Sequence, residues 1–293
     1  MPKKYYCDCK KGFNRWEYYK KHRLNCNYNI KLNFNNSSNK SDNAILYFHQ
    51  GWTDIFNSLA LINYYCNIYK HIFLVIREDS KKIIDFYTKN LNVTNCYFDK
   101  NNLDNLNLVH NLEKKIKNIN TMDYLGIGLL DNYRNDTYDN IFYKYKCYFV
   151  KKFYIPYNIP YITRINNFIF NRNLELENQK YNDFVNTHGD KFILIHQDRP
   201  RNILIEQFID NNNNYKIINL NNTTEIFFDM IKILEKSIEI HLIDSVWGAF
   251  IYLLDAKYNL FKNKNIYLYP LRGHTEMFID PIKLKNWKIV NNT

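Results

Sequence analysis

The chain has 293 residues, 46% hydrophobic and 24% charged, with 40 Lys and Arg against 29 Asp and Glu. That length favours two domains over one, since a domain runs about 100–200 residues. No apolar run approaches the ~18 residues of a membrane span, and the start Met1-Pro2-Lys3-Lys4-Tyr5-Tyr6 lacks the apolar core of a secretory signal.

Six cysteines are too few for a disulfide scaffold, so thiols or metal ligands are expected, in an intracellular, cytoplasmic protein. Asn supplies 47 residues, Tyr 26 and Phe 20. These residues have AT-rich codons, as in the genome of a large DNA virus or a protist; for a virus the cytoplasm would be the host's. Only seven glycines occur, well below the usual ~7% of residues, so each is informative.

The net charge of +11 is uneven. Residues 1–26 hold eight Lys or Arg against Asp8 and Glu17, leaving +5 for everything after them. This head, assigned to residues 1–28, has the footprint of a binder of phosphate-rich partners. Within it Cys7, Cys9, Phe13, Tyr19, His22 and Cys26 form C-x-C-x3-F-x5-Y-x2-H-x3-C. The pattern resembles the Cys2His2 zinc finger, with Cys in place of the second His and one residue between the first two cysteines. The resemblance implies a ββα unit holding structural Zn2+ through Cys7, Cys9, His22 and Cys26. It also places Arg15, Tyr18 and Lys21 on the exposed helix face, toward nucleic acid or a protein partner. A basic tail with incidental cysteines is the alternative.

Residues 29–43 are rich in Asn, Lys and Ser and read as a linker. From Ala44 the pattern becomes strand, loop, helix, strand. AILYF ends at Phe48, His49-Gln50-Gly51-Trp52-Thr53-Asp54 follows, and Ile55, Leu59, Ile62 and Cys66 then share a helix face before the strand His71–Ile76. This is a βαβ unit, and it implies a parallel sheet. Gly51 would let a ligand approach the backbone, and Thr53 or Asp54 could cap the helix. The Leu125-Gly126-Ile127-Gly128 stretch is a weak signal, and 155–165 reads as a crossover, with a helix around 165–187.

The pattern restarts at Lys191–His196, followed by the polar loop Gln197–Asn202. Strands are expected at Tyr215–Leu220, Ile238–Ile243 and Asn265–Tyr269. Helices are expected through Ile226–Leu234 and Val246–Leu254, the second opened by Asp244-Ser245. Two successive runs of β/α units predict an α/β protein of two Rossmann-like halves facing a cleft, at 44–160 and 161–293.

Three stretches carry a resemblance to GT-B glycosyltransferases. Gly51-Trp52-Thr53-Asp54 resembles the Gly-x-Gly-Asp loop of heptosyltransferase-like enzymes, and His196-Gln197-Asp198-Arg199 is similar to the His-x-Arg stretch of the fucosyltransferase group. Ile240–Gly248 resembles the donor-holding strand–turn–helix of both. The resemblance implies transfer of a sugar from a nucleotide sugar to an unknown acceptor hydroxyl, with inversion. Asp54 would be the base, with His49 also a catalytic candidate. Gly51, His196, Arg199, Arg201, His241, Asp244, Ser245 and Gly248 would bind the donor. The free N–H groups of the helix after Ser245 suit a diphosphate, Arg199 and Arg201 suit a bidentate clamp, and no catalytic metal is expected. His241 as a core histidine and Asp244-Ser245 as a plain cap remain open alternatives. So does a zinc-finger nucleic-acid-binding or adaptor protein with a non-catalytic α/β ligand-binding body.

Overall fold

The computed structural model describes residues 5–6, 12–13, 41–48, 52–99, 122–127, 153–154, 157, 159–210, 214–222, 227–272 and 286–290, with backbone alone at 5–6, 12–13, 52–54, 122–124, 126–127 and 222. At the head, β1 (Tyr5–Tyr6) pairs antiparallel with β2 (Gly12–Phe13), Tyr6 opposite Gly12. The ligand candidates Cys7, Cys9, His22 and Cys26 lie outside the described residues, as do Arg15, Tyr18 and Lys21.

The first half is built from β3 (Asn43–Phe48), α1 (Trp52–Cys66), β4 (His71–Arg77), α2 (Lys81–Thr88), β5 (Val93–Phe98) and β6 (Met122–Ile127). Its strands are all parallel, in the order β5-β4-β3-β6. A central strand of a parallel sheet is covered on both faces, which is why AILYF carries no alternation. Ala44, Leu46 and Phe48 enter the main core, while Ile45 and Tyr47 enter a smaller cluster with Val75 and Phe98. The edge strand β5 is only partly buried and accordingly reads VTNCYF, a mixed sequence without a strand signal. Helix α1 begins at Trp52, so Thr53 and Asp54 lie in its first turn and not at its cap.

The second half follows a crossover. It comprises α3 (Thr163–Asn166), α4 (Leu174–His188), β7 (Phe192–His196), β8 (Lys216–Asn219), α5 (Ile231–Lys236), β9 (Glu239–Ile243), α6 (Val246–Tyr258), β10 (Asn265–Tyr269) and β11 (Trp287–Ile289). These five strands are also parallel, ordered β11-β10-β9-β7-β8. The expected mixed α/β architecture with two Rossmann-like parallel sheets is present. The elements α2, α3, β5, β6 and β11 carry no expectation from sequence, and the helix expected around 165–187 is α4, from Leu174. Among the described residues no helix is long and apolar enough to cross a membrane.

Helices α1 and α6 decide how the halves join. From Ile55 to Asn63 every residue of α1 is buried, and α6 is buried from Trp247 to Asp255. A helix buried all round must be covered on both sides. Each lies on its own sheet and turns its other side to its counterpart. Phe56 of α1 has its ring centroid 5.0 Å from Phe250 of α6 and 4.9 Å from Phe227, and Phe86 of α2 stacks on Phe228 at 4.6 Å. One core cluster therefore runs through both halves.

The crossover is tied to both sides. Asn63 Nδ2 donates to the carbonyls of Asn167 (3.0 Å) and Ile169 (2.9 Å) from the first half. From the second, Lys257 Nζ donates to Asn166 O at 2.6 Å and Tyr258 Oη to Phe168 O at 3.0 Å. At the far end of α6 the buried Asp255 carboxylate accepts from Phe261 N, Asn286 Nδ2 and Trp287 Nε1 at 2.9–3.0 Å. Those bonds hold β11 onto the sheet edge.

Candidate functional site

In an open parallel sheet the crevice lies outside the carboxyl ends of the strands, where neighbouring connections leave in opposite directions. In the second sheet that point falls between β7 and β9. The chain runs from β7 outward to β8, then returns to the other side of β7 as β9. β7 ends at His196, whose register partner is Leu242, and β9 ends at Ile243, immediately before Asp244-Ser245. Two of the expected donor residues are thereby joined: Ser245 Oγ lies 2.8 Å from His196 Nδ1, and both residues are buried.

Ser245 is the N-cap of α6, with extended backbone, but its side chain makes no capping bond. Its hydroxyl is turned to His196 instead. The first bond of the helix ladder runs from Ala249 N to Ser245 O. The N–H groups of Val246, Trp247 and Gly248 precede it and have no partner in that ladder, which is the usual anion-binding end of a helix. Gly248 serves the packing of this helix. A Cβ there would meet Ile243 O at 3.3 Å, so glycine lets α6 sit close on the end of β9.

Burial lowers His196 to about 4; the Asp198 charge and a hydrogen bond to the Asn221 side chain raise it, and Arg272 lowers it further. The imidazole is therefore neutral at neutral pH. Since the unfolded chain takes up this proton first, near its ordinary ~6.5, the stability linked to His196 is whole above that pH. It is lost as pH falls toward the folded value.

The loop after β7 is rigidly built. Asp198 and Ile203 exchange both backbone hydrogen bonds, at 2.9 and 3.0 Å. The fully buried Gln197 accepts from Ile205 N at 3.2 Å and donates to Glu206 Oε1 at 2.8 Å. On this frame Arg199 and Arg201 project into solvent, their side chains 64% and 61% exposed. Each faces a carboxylate of its own loop: Arg199 is 3.4 Å from Glu206, and Arg201 is 2.6 Å from Asp198.

Sequence reasoning missed Arg272. It follows β10, and its backbone N donates to Asp244 Oδ1 at 2.8 Å, which holds the turn after β10 against the turn after β9. Its position one turn beyond a strand's carboxyl end is the available signal, the same one that singles out Arg199 and Arg201. Asn221, beyond β8, was also passed over; its Nδ2 donates to Gln197 O.

His241 is placed elsewhere. It lies in mid-strand on the other face of the sheet, Nδ1 3.0 Å from Tyr269 Oη and Nε2 3.3 Å from Glu239, stacked on Tyr267 at 4.4 Å. Burial lowers its pKa, with Glu239 opposing. All its polar atoms are satisfied within the core. In the first half, the loop carrying His49 and Gly51 leaves β3 where that sheet's order also reverses, between β3 and β6. His49, Gly51 and the Asp54 side chain lie outside the described residues. Among those described, no group of three or more His, Cys, Asp or Glu could hold a metal ion.

No protein-family model matches this sequence, and none of the curated proteins does. Among solved structures the chain is similar to the crystal structure of the glycosyl transferase family 9 from Veillonella parvula DSM 2008. The identity is 13% and the TM-score 0.48, over 87% of this chain and 86% of that one.

Proposed function

We propose that this chain is a glycosyltransferase that moves a sugar from a nucleotide-sugar donor to an acceptor hydroxyl, with inversion. The observation that carries the reading is the joined pair of strand ends, His196 and Ser245, beside an uncapped helix N-terminus at the reversal point of the second sheet. A departing diphosphate needs positive potential and preorganised donors. The first-turn N–H groups of α6 supply donors, and Arg199, Arg201 and Arg272 supply charge. The acceptor would enter from the first sheet's reversal point, where Asp54 takes its proton, with His49 and Gly51 in the preceding loop. The transferred sugar and its acceptor then lie between the two halves.

The test is binding of nucleoside diphosphates to the full chain, first by thermal shift and then by calorimetry. One base should stabilise the protein above the others. Arg201→Ala should weaken that nucleotide by about 1.5–3 kcal/mol through loss of a charge-assisted hydrogen bond. Unchanged affinity in both Arg199→Ala and Arg201→Ala would move the donor site away from this loop.

The head is proposed as a structural zinc finger with ligands Cys7, Cys9, His22 and Cys26, docking nucleic acid or protein through Arg15, Tyr18 and Lys21. Support comes from the β1–β2 hairpin, whose five-residue connection contains both Cys7 and Cys9. Thiolates on one short connection suit tetrahedral Zn2+, which would supply much of the folding energy of so small a unit. Metal analysis should find about one equivalent of zinc, lost in His22→Ala while the α/β body keeps its cooperative melt. A zinc-free preparation with full activity would remove the finger and leave the enzyme.

A further inference from the structure

We propose that His196 is a proton-linked positioning residue: when an oxyanion seats at the N-terminus of α6, the imidazole takes up a proton and releases the Ser245 hydroxyl to donate to that anion. The inference rests on the diphosphate reading of this site and adds a mechanism to it. It starts from a shortage, because a serine hydroxyl has one proton to donate. At 2.8 Å, Ser245 Oγ and His196 Nδ1 share a single proton, and both residues are buried.

The tautomer of the ring decides who donates. Asn221, whose Nδ2 donates to Gln197 O, favours the charged ring. A neutral ring that carries its proton on Nε2 has Nδ1 as an acceptor, and Ser245 then donates inward. In that state Ser245 presents only lone pairs to an incoming anion, which repels it.

Protonation reverses this. An imidazolium donates from both nitrogens, so Nδ1–H points at Ser245 Oγ and the serine proton turns outward. The proton comes from solvent and stays on the ring while the anion is bound, and no covalent bond changes. A nearby anion itself favours the charged ring, so anion and proton bind together. Asp198 from the same loop also favours protonation, with its carboxylate shared with Arg201. Arg272, from the turn after β10, opposes it, while the buried Asp244 carboxylate is tied to the Arg272 backbone. In the empty site burial outweighs all of these and keeps the ring neutral. The donor contact therefore forms only when the anion arrives.

The test uses 15N-labelled histidine in the full-length chain and sulfate as the probe, because sulfate gains no proton of its own in the working range. His196→Gln identifies the signal. The free protein should show a neutral ring protonated at Nε2. Saturating sulfate should raise the titration midpoint of His196 by about one unit or more, equivalent to a tenfold gain in sulfate affinity across the shift. Ser245→Ala should retain backbone binding of sulfate but lose most of that shift, and His196→Gln should flatten the pH dependence of affinity. A midpoint unmoved by sulfate, or a ring protonated at Nδ1 in the free protein, overturns the proposal. Sulfate that shifts His196 while no nucleoside diphosphate binds would sink the donor reading alone. Nucleotide binding with an unmoved midpoint would sink this inference alone.

Discussion

Phe56→Ala is expected to cost about 3–5 kcal/mol, the range for removing a buried phenylalanine ring. Phe56 is 1% exposed and its ring meets Phe227, Phe228 and Phe250, all from the second half. The cavity would open where α1 and α6 press together, in stretches of both helices that are buried all round. The crossover between the halves is also held from both sides, by Asn63 on one and Lys257 and Tyr258 on the other. The wild-type chain should thus unfold in urea as one cooperative unit across both sheets. In the variant the midpoint should fall, with Phe56→Leu recovering most of the loss because the volume is largely restored. A loss below about 1 kcal/mol, or a wild-type transition that separates into two, would mean that the halves do not share a core.

Asp54→Asn is expected to reduce turnover by about 10^2–10^4, the usual worth of a positioned base. Asp54 sits in the first turn of α1, directly beyond the reversal point of the first sheet. A carboxylate there also favours the helix dipole, by roughly 0.3–1 kcal/mol. The two roles separate under one conservative change. Asparagine keeps the shape and gives up the charge, so a dipole role predicts a small loss of stability and normal turnover. A catalytic role predicts the collapse of turnover with stability nearly intact. Steady-state rates with the donor found by nucleotide screening, beside a urea titration, decide between them. Active Asp54→Asn protein would shift the search for the base to His49.

The central strands were legible in the sequence for one reason: a strand covered on both faces is apolar at nearly every position. AILYF and the FILI of β7 satisfy that rule, and the polar residues at the strand ends, His196 and, after β9, Asp244-Ser245, mark the carboxyl ends where the candidate site lies. Edge elements follow no such rule. β5 faces solvent in part, and α2 is a short helix with four buried residues. β11 is three residues, WKI, placed by the Asp255 carboxylate at the end of a helix some thirty residues earlier. Nothing local distinguishes them.

What the sequence by itself determined is the strands β3, β4, β7, β8, β9 and β10, their parallel α/β character and the polar residues at their ends, because burial and chain stiffness act on neighbours along the chain. What only the tertiary structure decided is which of those ends meet. β8 lies between β7 and β9 in the chain but not in the sheet, so the order β9-β7-β8 alone puts Ser245 against His196. His241 and His196 look alike in sequence, each in an apolar strand. Register separates them, since one falls in mid-strand among tyrosines and the other at the crevice. Arg272 was one basic residue among forty until a backbone bond to Asp244 brought it to the site. Contacts of this kind depend on sheet order and helix packing, which are set by the whole core at once and leave no mark at any single position.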